Sequence, residues 1–578
     1  MKKLLCVLIA VTLSSQILTG CSSSSFASRP GKSSYEDFIV VDVFDSLANF
    51  EGIQSGWFAD IVRKKFNMEL NIIAPNVSSG GSTLLQMRMA SGNVGDLIIC
   101  STGNGDMQAL VDNGLVMDMT GLLQGKDIMQ YSDSIRLLND KLGKEGIYAI
   151  PSEISSQPVT NSSEGLELTY GPYLRWDLYS LIGYPQMNTL EDLLTVLEQM
   201  QEVMPATESG NPTYGFSFFR DWDGNMMNAA KQPACFYGYD EIGFVLAKAD
   251  GTDYQSILDP DSLYMRILKL YYNASQMGLL DPDSAFQTYE DVFKKYQDGA
   301  ILYTPWPWLG QSAYNTTEHK EAGKGYMLAS VDDMQIFSYG CNNQGNQRNI
   351  ISIGSKAEDP GRLADFIDWL YSPEGIRIGC AQAAGGTAGP EGLTWEMSGD
   401  GPVLTEFGKQ AFLSGGAEVP EEWGGGSWMD GVSQLNYKPV AYSDLDPEGY
   451  PYYYTLWDSV IKMNTSPLEL DWRSYMGAGS SHEYLVNTNK IIVAPGCGYV
   501  APEPSSEISA MRAQCRSVIV NYSWKMVFAN TMEDFNSLME DMIQKAGVLG
   551  YSEVYEEDLK NAMDQDAARK EAIAAYGN

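Results

Sequence analysis

Histidine is almost missing from this chain of 578 residues: only His319 and His482 occur, far apart in sequence. No HExxH places two imidazoles on one helix face, which removes the common zinc-hydrolase arrangement. GxSxG, GxGxxG and the P-loop are also missing, and the Gly31-Lys32-Ser33 tripeptide has no glycine five residues before Gly31. Serine-hydrolase elbows, dinucleotide fingerprints and nucleotide-phosphate cradles therefore lack their signatures. A calcium loop is suggested by DWDGN (221–225), but glycine sits fourth rather than sixth, and Gln232 stands where a bidentate Glu belongs. Neither a metal nor a cofactor is expected. Positive charge is scarce, with 38 Lys and Arg against 74 Asp and Glu and a net charge of -36. Nucleic acid and anionic surfaces are poor partners for such a chain, because phosphate binding needs cations that displace counterions. No CxxC pair occurs, and six of the 8 cysteines (Cys100, Cys235, Cys341, Cys380, Cys497, Cys515) are widely spaced. That spacing argues against zinc and leaves one or two bridges open. No internal repeat is visible. Beyond the amino terminus there is no uncharged apolar run long enough to cross a bilayer.

What is there begins with Met1, Lys2 and Lys3, then the apolar run Leu4 to Leu13, a basic n-region and a short h-region. Leu18, Thr19, Gly20 and Cys21 follow. This junction resembles the lipobox of bacterial lipoproteins. The resemblance implies a signal peptide over 1–20, cleavage before Cys21, and a palmitate-type diacyl lipid on its sulfur. At ~0.8 kcal/mol per buried CH₂, two acyl chains hold a soluble domain on a membrane where one is marginal. Residues 21–34 are serine-rich and read as a flexible tether. The expected location is the extracellular face of the cell membrane, lipid-anchored.

From Tyr35 on, short β-branched runs alternate with amphipathic helices. The runs are FIVVDVF (38–44), ELNIIA (69–74), DLIIC (96–100), GIYAIP (146–151), YGFSFF (214–219), GAILYTP (299–305), NIISIG (349–354) and KIIVAP (490–495). One apolar stripe is Leu190, Leu193, Leu194, Leu197 and Met200, opened by a capping-box pattern at Thr189 and Asp192. Another is Leu363, Phe366, Ile367 and Leu370, ended at Ser372-Pro373. The alternation predicts an α/β fold with mostly parallel sheets flanked by helices. Residues 385–505 are rich in Gly, Pro, Tyr and Trp and read as loops and short helices decorating a lobe, too aromatic to stay disordered. The tail from about 506 reads as helical. In ILYTPWPWLGQ (301–311), Pro305 and Pro307 are expected to hold an extended backbone on which Trp306 and Trp308 project the same way. Such a wall suits the C–H face of a sugar.

Six stretches in order resemble the extracellular solute-binding proteins of ABC transporters, the family that includes the maltose-binding proteins. They are SGWFADIVRKKFNMELNII, MRMASGNVGDLIICSTGNGDMQALVDNGLVMDMTGLL, EGIYAIPSEI, YLRWDLYSLIGYPQMNTLEDLLTVL, GAILYTPWPWLGQ and IISIGSKAEDPGRLADFIDWLYSPEG. The resemblance spans nearly the whole mature chain, with 385–505 poorly matched. It implies a two-lobed periplasmic-binding-protein-like fold joined by a multi-crossing hinge. The first lobe would comprise 35–165 and a return at 346–385, and the second 166–345 with most of 386–578. Ligand contacts carried over are Asn49, Glu51, Ser101, Asn104, Asp106 and Glu153 from the first lobe. From the second come Trp222, Asp223, Trp306 and Trp308, with Trp457 added. Carboxylates and indole planes suit a neutral oligosaccharide. The implied protein is a monomeric receptor that hands a carbohydrate, chemically unchanged, to the permease of an ABC importer. Two rivals stand beside it: a surface glycoside hydrolase, which needs two carboxylates flanking one bond, and a receptor for a non-sugar solute such as a peptide.

Overall fold

A computed structural model describes residues 34–75, 82–102, 105–381, 386–413, 417–463, 465–502 and 504–577. Cys21 and Asn104 lie outside the described residues.

The first lobe is built on a six-stranded sheet. Its strands, in spatial order, are Gly52–Ile53, Met68–Ile73, Ile39–Asp45, Leu97–Cys100, Asn346–Ile353 and Ile150–Ser152. Strand Ile39–Asp45 pairs in parallel with both neighbours, as βα crossovers require. Strand Asn346–Ile353, arriving from the other lobe, runs antiparallel to its two neighbours. The central strands are apolar on both faces: Val43, Phe44, Ile98 and Ile99 are all buried. Two core layers consequently form, one on each side of the sheet. The helix Pro360–Leu370 covers one face through Leu363, Phe366, Ile367 and Leu370, the predicted stripe. Ser372 then caps the next helix by accepting from Gly375 N.

The second lobe centres on an antiparallel sheet ordered Tyr303–Thr304, Tyr173–Arg175, Tyr326–Leu328. Parallel bridges Tyr214↔Ile301 and Phe216↔Leu280 extend it. Of GAILYTP, therefore, only Tyr303–Thr304 is regular strand, and YGFSFF, expected as a strand, holds only the isolated bridges at Tyr214 and Phe216. The stripe at 190–200 lies on the helix Asp192–Val203, which buries Leu193, Leu194, Leu197 and Met200. Only half of the capping box forms: the Asp192 carboxylate accepts from Thr189 N at 3.0 Å, and the helix starts at Asp192 itself. Three long helices, Ser506–Val527, Met532–Val548 and Tyr551–Tyr576, close the chain and pack into the second-lobe core through Cys515, Ile519, Trp524, Met542 and Val554. Among the described residues no helix is long and apolar enough to cross a membrane. The six cysteines from Cys100 on are unpaired.

The aromatic-rich region corrects one expectation. Residues 386–463, expected with the second lobe, pack on the first: Leu393, Trp395, Phe412, Trp428, Tyr454, Trp457 and Val460 belong to its core cluster. The reason is a fit against the helix Gly56–Phe66. Trp428 stacks on Trp57 with centroids 4.4 Å apart and planes 4° from parallel, and Trp57 Nε1 donates to Trp428 O at 3.0 Å. Gly56 and Gly431 allow this approach. A Cβ on Gly56 would lie 2.4 Å from Gly431 Cα, and Gly56 has φ +80. Only from Leu468 onward does the chain rejoin the second-lobe core.

Candidate functional site

The chain crosses between the lobes near residues 154–163 and 340–345 and once more between Val460 and Leu468, and bridges Ile154↔Val440 and Ser162↔Gly340 hold the first two crossings together. Gly340 is pressed among backbone: a Cβ there would sit 2.3 Å from Val159 O and 2.7 Å from Ala494 O. Beside these crossings opens a cleft of about 600 Å³ lined from both lobes. Ser101 and Glu153 line it from the first lobe, at the ends of the strands Leu97–Cys100 and Ile150–Ser152. Asp240, Tyr339, the segment Ala494–Val500 and Arg569 line it from the second. Strand ends in open α/β sheets leave loops and backbone groups free for a ligand, the rule for this class of architecture.

Glu153 is held in a strained backbone conformation, φ +49, unusual for a residue with a Cβ. Its N–H donates to Lys438 O at 2.7 Å, and its Oε2 accepts from Asn346 Nδ2 at 2.8 Å. Strain of this kind, about 1–3 kcal/mol, persists where surroundings over-determine it, typically at binding sites. Opposite, Asp240 Oδ1 accepts from Glu241 N at 2.8 Å, and Tyr339 OH lies 3.4 Å from Oδ2. Burial pushes the Asp240 carboxyl above the usual range, while Lys231 and Arg569 hold it down in part. Tyr339 packs edge-on against Phe337 at 4.8 Å, with 39% of its surface exposed, and Tyr442 adds another phenol, bonded to Thr455 at 2.6 Å. Two carboxylates, phenols and backbone amides around a concavity can hold hydroxyls in fixed directions.

Of the residues drawn from sequence, Ser101 and Glu153 line this cleft. Asp106 opens the helix Asp106–Asp112 just beyond Ser101, its carboxyl raised by burial. Asn49 and Glu51 are exposed between the strands Ile39–Asp45 and Gly52–Ile53, apart from the lining. Trp222, Trp306 and Trp308 gather into one aromatic patch on the second lobe, with centroid separations of 6.2, 5.8 and 5.0 Å, outside the cleft lining. The expected extended wall does not form. Pro307 begins the helix Pro307–Tyr314, which turns Trp308 back so that its ring stacks on Trp306 at 28°. Trp306 is buried at 6% exposure, whereas Trp222 and Trp308 remain over 40% exposed, at 43% and 41%.

Two candidates are structural. Trp457 is buried in the first-lobe core, its indole donating to Pro451 O at 2.7 Å and its ring set edge-on to Trp395 at 5.6 Å. Asp223 accepts from Trp524 Nε1 and Asn228 N, at 2.8 and 2.9 Å, tying the C-terminal helices to the lobe. Asp240, Tyr339, Tyr442, the 494–500 segment and Arg569 were missed. For the 494–500 segment a signal existed, since KIIVAP was read as a strand and its trailing PGCGY occupies a strand end. Arg569 had none. Among the described residues no group of three or more His, Cys, Asp or Glu is placed to hold a metal ion.

No family model matches the chain, and no curated protein matches its sequence. Solved structures do match its shape. FusA, an ABC-transporter substrate-binding protein of S. pneumoniae solved with kestose, aligns at TM-score 0.56 and 15% identity, over 91% of this chain and 99% of that one. An HMO-binding, ABC-transporter-associated solute-binding protein from Bifidobacterium longum infantis ATCC 15697 gives 0.55 and 14%, over 91% and 99%. The alginate-binding protein AlgQ2 gives 0.52 and 12%, over 93% and 99%. The fold is thus the two-lobed fold of extracellular ABC-transporter solute-binding proteins.

Proposed function

We propose that this chain is a membrane-anchored receptor that captures an oligosaccharide between its lobes and delivers it, unreacted, to an ABC importer. The observation that carries the reading is the cleft beside the lobe crossings, into which each lobe brings a carboxylate, Glu153 from one and Asp240 from the other. A ligand touching both lobes gains contacts only when they close, which is how such a receptor signals occupancy. The solved counterparts include proteins described as binding kestose, HMO and alginate, and these support a carbohydrate ligand. The lipid on Cys21 would keep the receptor within a tether's reach of its permease, raising its effective concentration there.

The test is a thermal-shift screen of the protein against an oligosaccharide library, followed by titration calorimetry of the hits. A ligand that binds only the folded state raises Tm by mass action. Stoichiometric binding with the glycan recovered intact supports the receptor; steady turnover of the glycan, or no shift with any member, overturns it. For the anchor, Cys21→Ser should release the protein from the membrane fraction into the medium.

A further inference from the structure

Arg569 sits on the helix Tyr551–Tyr576, in the wall of the cleft, with only 8% of its surface exposed. Its Nε is buried without a hydrogen-bond partner. Among the described residues it forms no ion pair within 4.0 Å, although it lies near enough to Asp240 to hold that carboxyl down in part. The neighbouring acid on its helix, Asp566, is taken by Lys570 at 2.6 Å, and Lys231 is paired with Glu241 at 2.8 Å. The other buried arginines in this molecule are matched to carboxylates: Arg377 to Asp446, Arg175 to Asp177 and Arg362 to Asp359, and the half-buried Arg512 is matched in two-pronged fashion to Asp558. Keeping a guanidinium buried and unmatched is costly, and buried charges are normally paired. The helix is pinned where it is by that Arg512–Asp558 pair and by Val159 N donating to Tyr576 O at 3.1 Å. These ties hold the Arg569 backbone at the cleft wall. The guanidinium's planar fork of N–H donors suits a carboxylate or sulfate, which it can grip through two bonds at once.

We propose that Arg569 is the subsite for an anionic substituent, a carboxylate or sulfate, on the bound glycan, so that the receptor prefers acidic oligosaccharides over neutral ones. This rests on the carbohydrate reading above and goes beyond it, because the residues drawn from sequence included no cation. Glu153 and Asp240 then serve the hydroxyls of flanking rings.

The test titrates the protein with matched pairs of oligosaccharides: galactotriose and trigalacturonate, lactose and sialyllactose, and a neutral disaccharide with its sulfated form. The acidic member of at least one pair should bind roughly ten- to a hundred-fold tighter than its neutral partner, as a charge-assisted bond in a desolvated site provides. That advantage should shrink with added NaCl, a readout that needs no variant. Arg569→Gln should abolish the advantage, read as the ratio of acidic to neutral affinity within that variant, and Arg569→Lys should keep part of it. The uronate, sialyl and sulfate arms separate carboxylate from sulfate recognition. Equal or tighter binding of the neutral members, or an acidic preference that survives Arg569→Gln, overturns this assignment and leaves the carbohydrate receptor standing. Failure of every glycan to bind overturns the receptor reading, and this inference with it.

Discussion

Trp306 and Trp308 lie two positions apart and are unlike in what they can do. Trp306, 6% exposed within the second-lobe core, should cost ~3–5 kcal/mol when cut to Ala, read as a lower Tm. Trp308→Ala and Trp222→Ala should change Tm little, since both rings stand half in water. Trp457→Ala belongs with Trp306, and loss of glycan affinity without loss of Tm in that variant would contradict its placement. Asp45 carries a pH signature. Its carboxyl is 0% exposed, accepts from Asn436 N at 2.7 Å, and is pushed by burial up to about 6. Between the unfolded value near 4 and about 6, the folded state holds a proton that the unfolded chain has lost. Stability should therefore fall as pH rises through that window and stay lower above it. The difference is ~3 kcal/mol at ~1.4 kcal/mol per pH unit. Chemical denaturation at pH 4.5 and 7.5 should show about two-thirds of that difference, ~2 kcal/mol, in the wild type and lose most of it in Asp45→Asn.

At the scale of elements, the sequence pattern was legible where apolar periodicity is strong. The strands at 39–45, 68–73 and 97–100 and the helix Pro360–Leu370 follow from residues that neighbour one another in the chain. It was illegible at 305–308, where two prolines suit an extended wall or the first turn of a helix equally well, and packing chose the helix. The aromatic insert was read as decoration, yet Trp428 closes over Trp57, some 370 positions away in sequence. Gly431→Ala should pry that contact apart, because its Cβ would meet Trp57 Cδ1 at 2.4 Å and Trp57 N at 2.9 Å. A Tm drop with increased protease cutting in 386–463 is the expected result.

For the whole molecule, a ligand bridging Ser101 and Glu153 to Asp240 and Tyr339 should draw the lobes together, measurable as a smaller radius of gyration by X-ray scattering on adding a bound glycan. Gly340→Ala should blunt this motion or unfold the crossing, since a methyl group there collides with backbone of the crossing at Val159 and of the second-lobe segment at Ala494. By itself the sequence determined the alternation of strands and helices, the excess of acid and the order of segments, because these depend on side chains close together along the chain. Tertiary structure alone decided which residues share the cleft. Burial and pairing are set by neighbours far away along the chain: they buried Trp457 in a core, tied Asp223 to an indole, and left Arg569 in the cleft wall with its Nε unpartnered.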